Sequence, residues 1–199
     1  MLKVAGLLRS GERLTIRAVA LQLGIGYRPA YLHLHGMEKE RMVVMEQVGR
    51  AKQCRLDFSS EACRQLLGEV DLHRKERLFA HTPWLRSVLD GLVSRLAEEL
   101  PGDLQIVVLF GSYAKGTVGK KSDIDLLFVV GSLRSRRVRI TIEKECSSYI
   151  YSHNITVSPI VTDIAEFKKM AKGKEMSVGK EAAGGIPLYG AESFWRWVA

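Results

Sequence analysis

Two stretches constrain this chain more than any others. Leu104 to Phe110 and Ile124 to Val130 are near-continuous apolar runs, dense in valine, leucine and phenylalanine. Runs of that length and composition, bounded by turn residues, read as buried strands. Helical periodicity surrounds them. Pro83 opens a helix from Trp84 to Leu100, with apolar positions at Leu85, Val88, Leu89, Leu92, Leu96 and Leu100, and Pro101-Gly102-Asp103 breaks it. A helix is predicted over 134–149, a third strand over 155–162 and a further helix over 163–172. Strands alternating with helices predict a mixed α/β sheet.

The first third reads differently, as three helices and a hairpin. Leu2, Ala5 and Leu8, with nearby Val4 and Leu7, give one helical face, and Gly11 ends that helix. Thr15 is a candidate N-cap for a second helix, with Ile16, Val19, Ala20 and Leu23 inward and Gly24 in the turn that follows. A third helix begins near Arg28, with Pro29 in its first turn, where a missing N–H costs nothing. Its inward face is Ala30, Leu34 and Met37. Met42 to Met45 and Cys54 to Phe58 read as short strands around the basic stretch Gly49-Arg50-Ala51-Lys52. The segment 59–77 is predicted helical, with Leu66, Leu67, Val70 and Leu72 as its apolar members.

At 199 residues the chain has room for two small domains, and 46% apolar residues suffice for real cores. The net charge of +8 suits an anionic partner such as nucleic acid or nucleotide phosphate. Three scattered cysteines, Cys54, Cys63 and Cys146, predict reduced thiols in a cytoplasm rather than a disulfide or zinc framework. No segment approaches the roughly 20 apolar residues of a membrane span, and Arg9, Glu12 and Arg13 interrupt any signal-peptide pattern. A cytoplasmic protein with no membrane partner is therefore expected.

The chemistry concentrates between the two apolar strands. The first ends at Gly111, where a bare Cα permits close backbone approach. Ser112 adds a hydroxyl and a backbone N–H. Lys115, Lys120 and Lys121 place positive charge around the loop, as a triphosphate requires. Asp123 and Asp125, at i and i+2 on a strand, share one face. Two adjacent carboxylates repel unless a cation lies between them, and magnesium suits oxygen ligands plus phosphate.

This stretch resembles the nucleotidyltransferases of the polymerase-β superfamily, especially the minimal prokaryotic ones: Gly111-Ser112, then Tyr113 to Ser122, then Asp123-Ile124-Asp125. The likeness spans approximately Trp84 to Tyr189, and 185–190 looks like the family's closing turn. It implies an α/β (α+β) nucleotidyltransferase fold with a mixed sheet. Gly111, Ser112, Lys115 and Lys121 would bind a nucleoside triphosphate, ATP by expectation. Asp123 and Asp125 would hold Mg2+ (or Mn2+) and act in catalysis, with pyrophosphate leaving as a hydroxyl attacks the α-phosphate. In the minimal family the acceptor can be a tyrosine of a partner toxin, so an antitoxin role is implied. One departure stands out. The family's third carboxylate belongs on the next strand, and Asn154 to Thr162 contains no acid. Asp163 lies at its end, and Glu143 and Glu145 are expected in solvent.

The N-terminal layout resembles a winged helix-turn-helix. That gives three expected regions: 1–58 winged helix, 59–81 helical connector, 82–199 nucleotidyltransferase. On the third helix Arg28, Tyr31, Leu32 and His35 lie opposite the inward face, which makes Arg28, Tyr31 and His35 candidate DNA contacts. Arg50 and Lys52 in the wing would meet the phosphate backbone. A homodimer is among the expected assemblies. Two functions follow. One is a transferase of NMP, AMP foremost, to an acceptor hydroxyl. The other is a DNA-binding regulator whose nucleotidyltransferase-like domain binds nucleotide without efficient catalysis.

Overall fold

The computed structural model describes residues 1–119, 122–133, 135–153, 155–172 and 178–198, the side chains of 151–153, 172 and 178–180 excepted. The chain divides into two compact units, Met1–Leu72 and His73–Val198.

In the first unit the order is α1 (Leu2–Leu8), β1 (Leu14–Thr15), α2 (Ile16–Leu23), α3 (Tyr27–Lys39), β2 (Val43–Val48) and β3 (Ala51–Leu56), followed by the start of α4 (Glu61–His81). Thr15 does two jobs. It pairs with Gln53 as the end of β1, and its side chain accepts a hydrogen bond from the Ala18 N–H at 3.1 Å, capping α2. Gly24 closes the same helix at φ 65°, a left-handed turn that glycine enters without penalty. Ala30, Leu34 and Met37 are fully buried, as the spacing predicts. The strands form one antiparallel sheet in the order β1-β3-β2. Val48 pairs with Ala51, so Gly49-Arg50 is a two-residue hairpin tip and the wing is longer than its apolar residues suggest. This is a winged-helix-like arrangement.

One expectation fails here. Leu72, read as one of the apolar members of its helix, is 54% exposed, while Asp71 is buried. The phase of α4 turns Cys63, Leu66, Leu67 and Val70 inward, and Asp71 falls on that side. Its carboxylate is matched by the Arg9 guanidinium at 2.7 Å, which makes burial of the charge tolerable.

The second unit contains the rest of α4, then α5 (Pro83–Glu99), β4 (Leu104–Phe110), α6 (Gly111–Lys115), β5 (Ile124–Val130), α7 (Arg136–His153), β6 (Val157–Asp163), α8 (Ile164–Lys172), α9 (Val178–Ala183), β7 (Ile186–Tyr189) and α10 (Ala191–Val198). The sheet runs β6-β5-β4-β7. β4 is antiparallel to both neighbours and β5 is parallel to β6, so the sheet is mixed. One face of β5, Ile124, Leu126, Phe128 and Val130, joins Leu85, Leu89, Leu92 and Leu96 of α5 and Val138, Ile142 and Cys146 of α7 in one core. Leu127 and Val129 point to the other face and are equally buried. α8 lies against β5 and β6, and α10 against β4. With both faces covered, the strands lose the polar alternation of a half-exposed sheet.

The closing segment 185–190 is more than a turn. Ile186–Tyr189 is an edge strand, with Ile186 opposite Leu109 and Pro187 opposite Val108. Pro187 is tolerated because an edge strand need not donate on both sides. Glu145 also departs from expectation. Its side chain is only 16% exposed and lies 3.6 Å from Arg95, whereas Glu143 is exposed as predicted. All three cysteines are free and buried. Burial pushes the Cys54 and Cys63 thiols up to about 11 and the Cys146 thiol up to about 12. Among the described residues no helix is long and apolar enough to cross a membrane.

Truncating Phe128, fully buried at the centre of the sheet, is expected to cost about 3–5 kcal/mol. Ile140→Ala, at a position 49% exposed, should stay within about 0.5 kcal/mol of the parent. Denaturant midpoints followed by circular dichroism give both values, and equal effects would contradict the core described above.

Candidate functional site

The site begins where β4 stops. Phe110 stands opposite Asp125 across the β4–β5 ladder, so the next residue, Gly111, arrives beside the Asp125 side chain. Gly111 has φ 67°. A Cβ placed on it would sit 2.0 Å from Asp125 Oδ2. The aspartate therefore occupies the room that any other residue's side chain would need. Ser112 follows, half-buried, and Tyr113 turns into the core. The short helix α6 ends at Gly116 in a left-handed turn, with the Thr117 N–H donating to Ser112 O at 3.0 Å. Further along the loop the Gly119 N–H donates to Ser122 Oγ at 2.8 Å.

Asp123 is exposed and Asp125 half-buried, on the same side of β5. Burial, then the neighbouring Asp123, then Glu181 hold the Asp125 carboxyl above its usual range, while Lys115 opposes them. Burial and Asp123 raise the Tyr113 hydroxyl as well. Two carboxylates with excess negative charge and a glycine-lined approach fit one divalent cation whose remaining ligands come from phosphate. Among the described residues no group of three or more acidic, histidine or cysteine side chains converges to hold a metal.

The register explains the missing acid. β6 runs parallel to β5 with Ser158 beside Asp125 and Asp163 beside Val130, at the opposite end of the strand. Asp163 instead accepts the Glu166 N–H at 2.9 Å, at the start of α8. Ser158 Oγ donates to Asp123 Oδ2 at 3.4 Å, so a hydroxyl stands beside the pair on the strand where a third carboxylate is expected. Sequence reasoning passed over Ser158 because the register of a parallel pair has no local signal. It also passed over Glu181, which arrives from α9 and pairs with Lys115. Lys121, expected to help bind nucleotide, lies outside the described residues, as do Lys120 and Arg134.

In the first unit the five candidate DNA contacts spread over α3 and the wing. The Tyr31 and His35 rings stack at 5.7 Å and 9°. Lys52 Nζ lies 5.7 Å from the Tyr31 ring centroid, within cation–π range, and so joins β3 to the exposed side of α3. Arg28 and Arg50 are exposed. His35 Nδ1 also meets Glu38 Oε2 at 3.2 Å.

A mixed sheet covered on both faces, with a glycine–serine turn set against paired aspartates, defines a nucleotidyltransferase fold. Residues 89–178 match the family model of the nucleotidyltransferase domain. Two proteins of Methanocaldococcus jannaschii are similar. "Putative protein adenylyltransferase MJ1305" is 28% identical over 114 residues, covering 56% of this chain and 76% of the relative. "Putative protein adenylyltransferase MJ0141" is 37% identical over 62 residues, covering 31% and 63%. Two solved structures superpose at a TM-score of 0.35. One is a toxin–antitoxin with AMP-PNP, at 18% identity over 54% of this chain and 82% of that one. The other is the adhesin competence repressor AdcR of Streptococcus pyogenes, at 22% identity over 50% and 81%. Superpositions at that level carry no functional weight.

Two outcomes are expected. Gly111→Ala must displace Asp125 and hold alanine at positive φ, which should cost about 1–3 kcal/mol by denaturant titration. Asp125 itself should make stability pH-dependent. Its carboxyl titrates near 3.8 when unfolded and higher when folded, so the native state binds more protons between those two values. The contribution of this one group to stability is then fully present below 3.8 and is lost as pH rises through its folded value. Asp125→Asn should abolish this loss in buffers free of divalent cations. Parallel profiles for variant and parent would refute the assignment.

Proposed function

We propose that the C-terminal unit transfers a nucleotidyl group, AMP foremost, from a nucleoside triphosphate to a hydroxyl of a protein acceptor. The observation that carries this reading is the contact of the bare Gly111 Cα with the Asp125 carboxylate. It makes the phosphate turn and the acidic pair parts of one site. The protein adenylyltransferase names of the two M. jannaschii relatives favour a protein acceptor, and the resemblance to minimal nucleotidyltransferases favours a partner toxin's tyrosine.

In this mechanism Ser112 offers its N–H and hydroxyl to the polyphosphate, and Lys115, exchanging Glu181 for phosphate, offsets charge on the departing pyrophosphate. Asp123 and Asp125 would hold Mg2+ or Mn2+, which supplies charge neutralisation at the α-phosphate. Asp123, at the exposed rim, takes the acceptor side. The acceptor oxygen bonds to the α-phosphorus as the bond to pyrophosphate breaks, and the hydroxyl proton passes to carboxylate or solvent.

The first unit binds DNA in this proposal. Tyr31 and His35 present the exposed side of α3 to a groove, with Arg28, Arg50 and Lys52 on phosphates. A second reading is favoured by Ser158 standing beside the pair in place of an acid. In it the C-terminal unit senses nucleotide and the chain regulates transcription.

Incubation with labelled ATP, magnesium and candidate partner proteins should yield label on the partner. Asp123→Ala and Asp125→Ala should each lower transfer by a factor on the order of 10²–10³, as loss of one preorganised electrostatic group does. Tight nucleotide binding without transfer to any acceptor would select the sensing reading. For DNA, Arg50→Ala and Lys52→Ala should each reduce the slope of log affinity against log salt by about one. An unchanged slope removes the wing from the interface.

A further inference from the structure

We infer that the side of α4 carrying Arg74, Arg77 and His81 forms the far wall of the nucleotide's phosphate site and receives the terminal phosphate. The inference rests on the nucleotidyl-transfer reading and extends it to residues before the matched segment 89–178.

The sequence spacing comes first. Positions 74, 77 and 81 stand at i, i+3 and i+7, which places them on one helical face. That face borders a groove of about 580 Å3 whose opposite wall is α6, including Lys115 and Gly116. Among the described residues its lining contains four basic side chains, Arg74, Arg77, His81 and Lys115, and no carboxylate. Lys115 connects the groove to the acidic pair, since it lines the one and lowers the Asp125 carboxyl in the other. From Gly111 to Lys115 the chain makes five residues of helix, four steps and so an advance of about 6 Å at 1.5 Å per residue. In this inference a triphosphate whose α-phosphate faces the aspartates runs along α6 and turns its last phosphate toward Lys115 and this groove.

The wall is also held in place. Arg74 donates to Gly185 O at 2.7 Å and to Gly184 O at 3.1 Å, clamping α4 to the bend before β7. Phe79 is buried in the core, and the Arg86 guanidinium lies 5.0 Å from its ring centroid. Glu76, an acid on this part of α4, is taken up by Arg86. Arg77 and His81 are left exposed on a fixed helix. A guanidinium fork suits the doubly charged terminal phosphate better than the singly charged inner ones.

The test measures binding of Mg-ATP, AMP and inorganic tripolyphosphate to the full chain by calorimetry. The variants are Arg77→Ala, Arg77→Lys and Arg77→Ala/His81→Ala, each checked for an unchanged melting curve. The double variant is expected to weaken ATP and tripolyphosphate about tenfold or more, with AMP within about twofold. Arg77→Lys should recover part of the loss. Equal weakening of AMP and ATP overturns the inference, as does unchanged affinity for all three. So does weakened binding of duplex DNA with ATP unaffected, which would make the groove a nucleic-acid track. Wild-type protein that binds no nucleotide and transfers none removes the parent reading too, and that outcome is distinct because it appears before any substitution.

Discussion

The contact between a bare Cα and a carboxylate, Gly111 against Asp125, is the constraint on which the C-terminal unit turns. It exists only because β4 and β5 are antiparallel neighbours with Phe110 opposite Asp125. Both strands are also central and covered on both faces, by α5 and α7 on one side and α8 and α10 on the other. The site is therefore a consequence of the core. Its carboxylates are held by a strand whose remaining residues are almost wholly buried, and rigidity of that kind is what a metal and phosphate site needs.

Charge around the turn is balanced in a specific way. Two aspartates and Glu181 bring negative charge to the glycine–serine bend, and Lys115 is drawn into the pair with Glu181. Glu181 gives the lysine an anion from within the protein. A polyphosphate entering with a divalent cation would reverse both imbalances together, cation to the aspartates and anion to the lysine. Ligand and metal are thus expected to enter cooperatively, each removing the repulsion that the other would meet.

What the sequence revealed was local. Thr15 and Gly24 mark the ends of α2 through capping chemistry that acts within a few residues. Ala30, Leu34 and Met37 mark the inward side of α3 by period alone, and the i, i+2 aspartates mark a shared strand face. What stayed hidden was set by partners distant in the chain. β1 has two residues, too few for any pattern, and exists through pairing with β3. The strand status of Ile186–Tyr189 depends on β4. Ser158 depends on the parallel register with β5, and Glu181 on where α9 comes to rest. Leu72 lies in solvent because the phase of α4 turns Asp71 inward instead, where Arg9 pairs with the acid.

The cysteines carry a practical consequence. Each sulfur is enclosed by packing and its thiolate is strongly disfavoured, with values pushed up to about 11 or about 12. Only the thiolate reacts quickly with maleimides, peroxides or other sulfurs. The native surface is accordingly silent toward such reagents. One cysteine introduced on the wing or on α4 could carry a fluorophore without background from the natural ones.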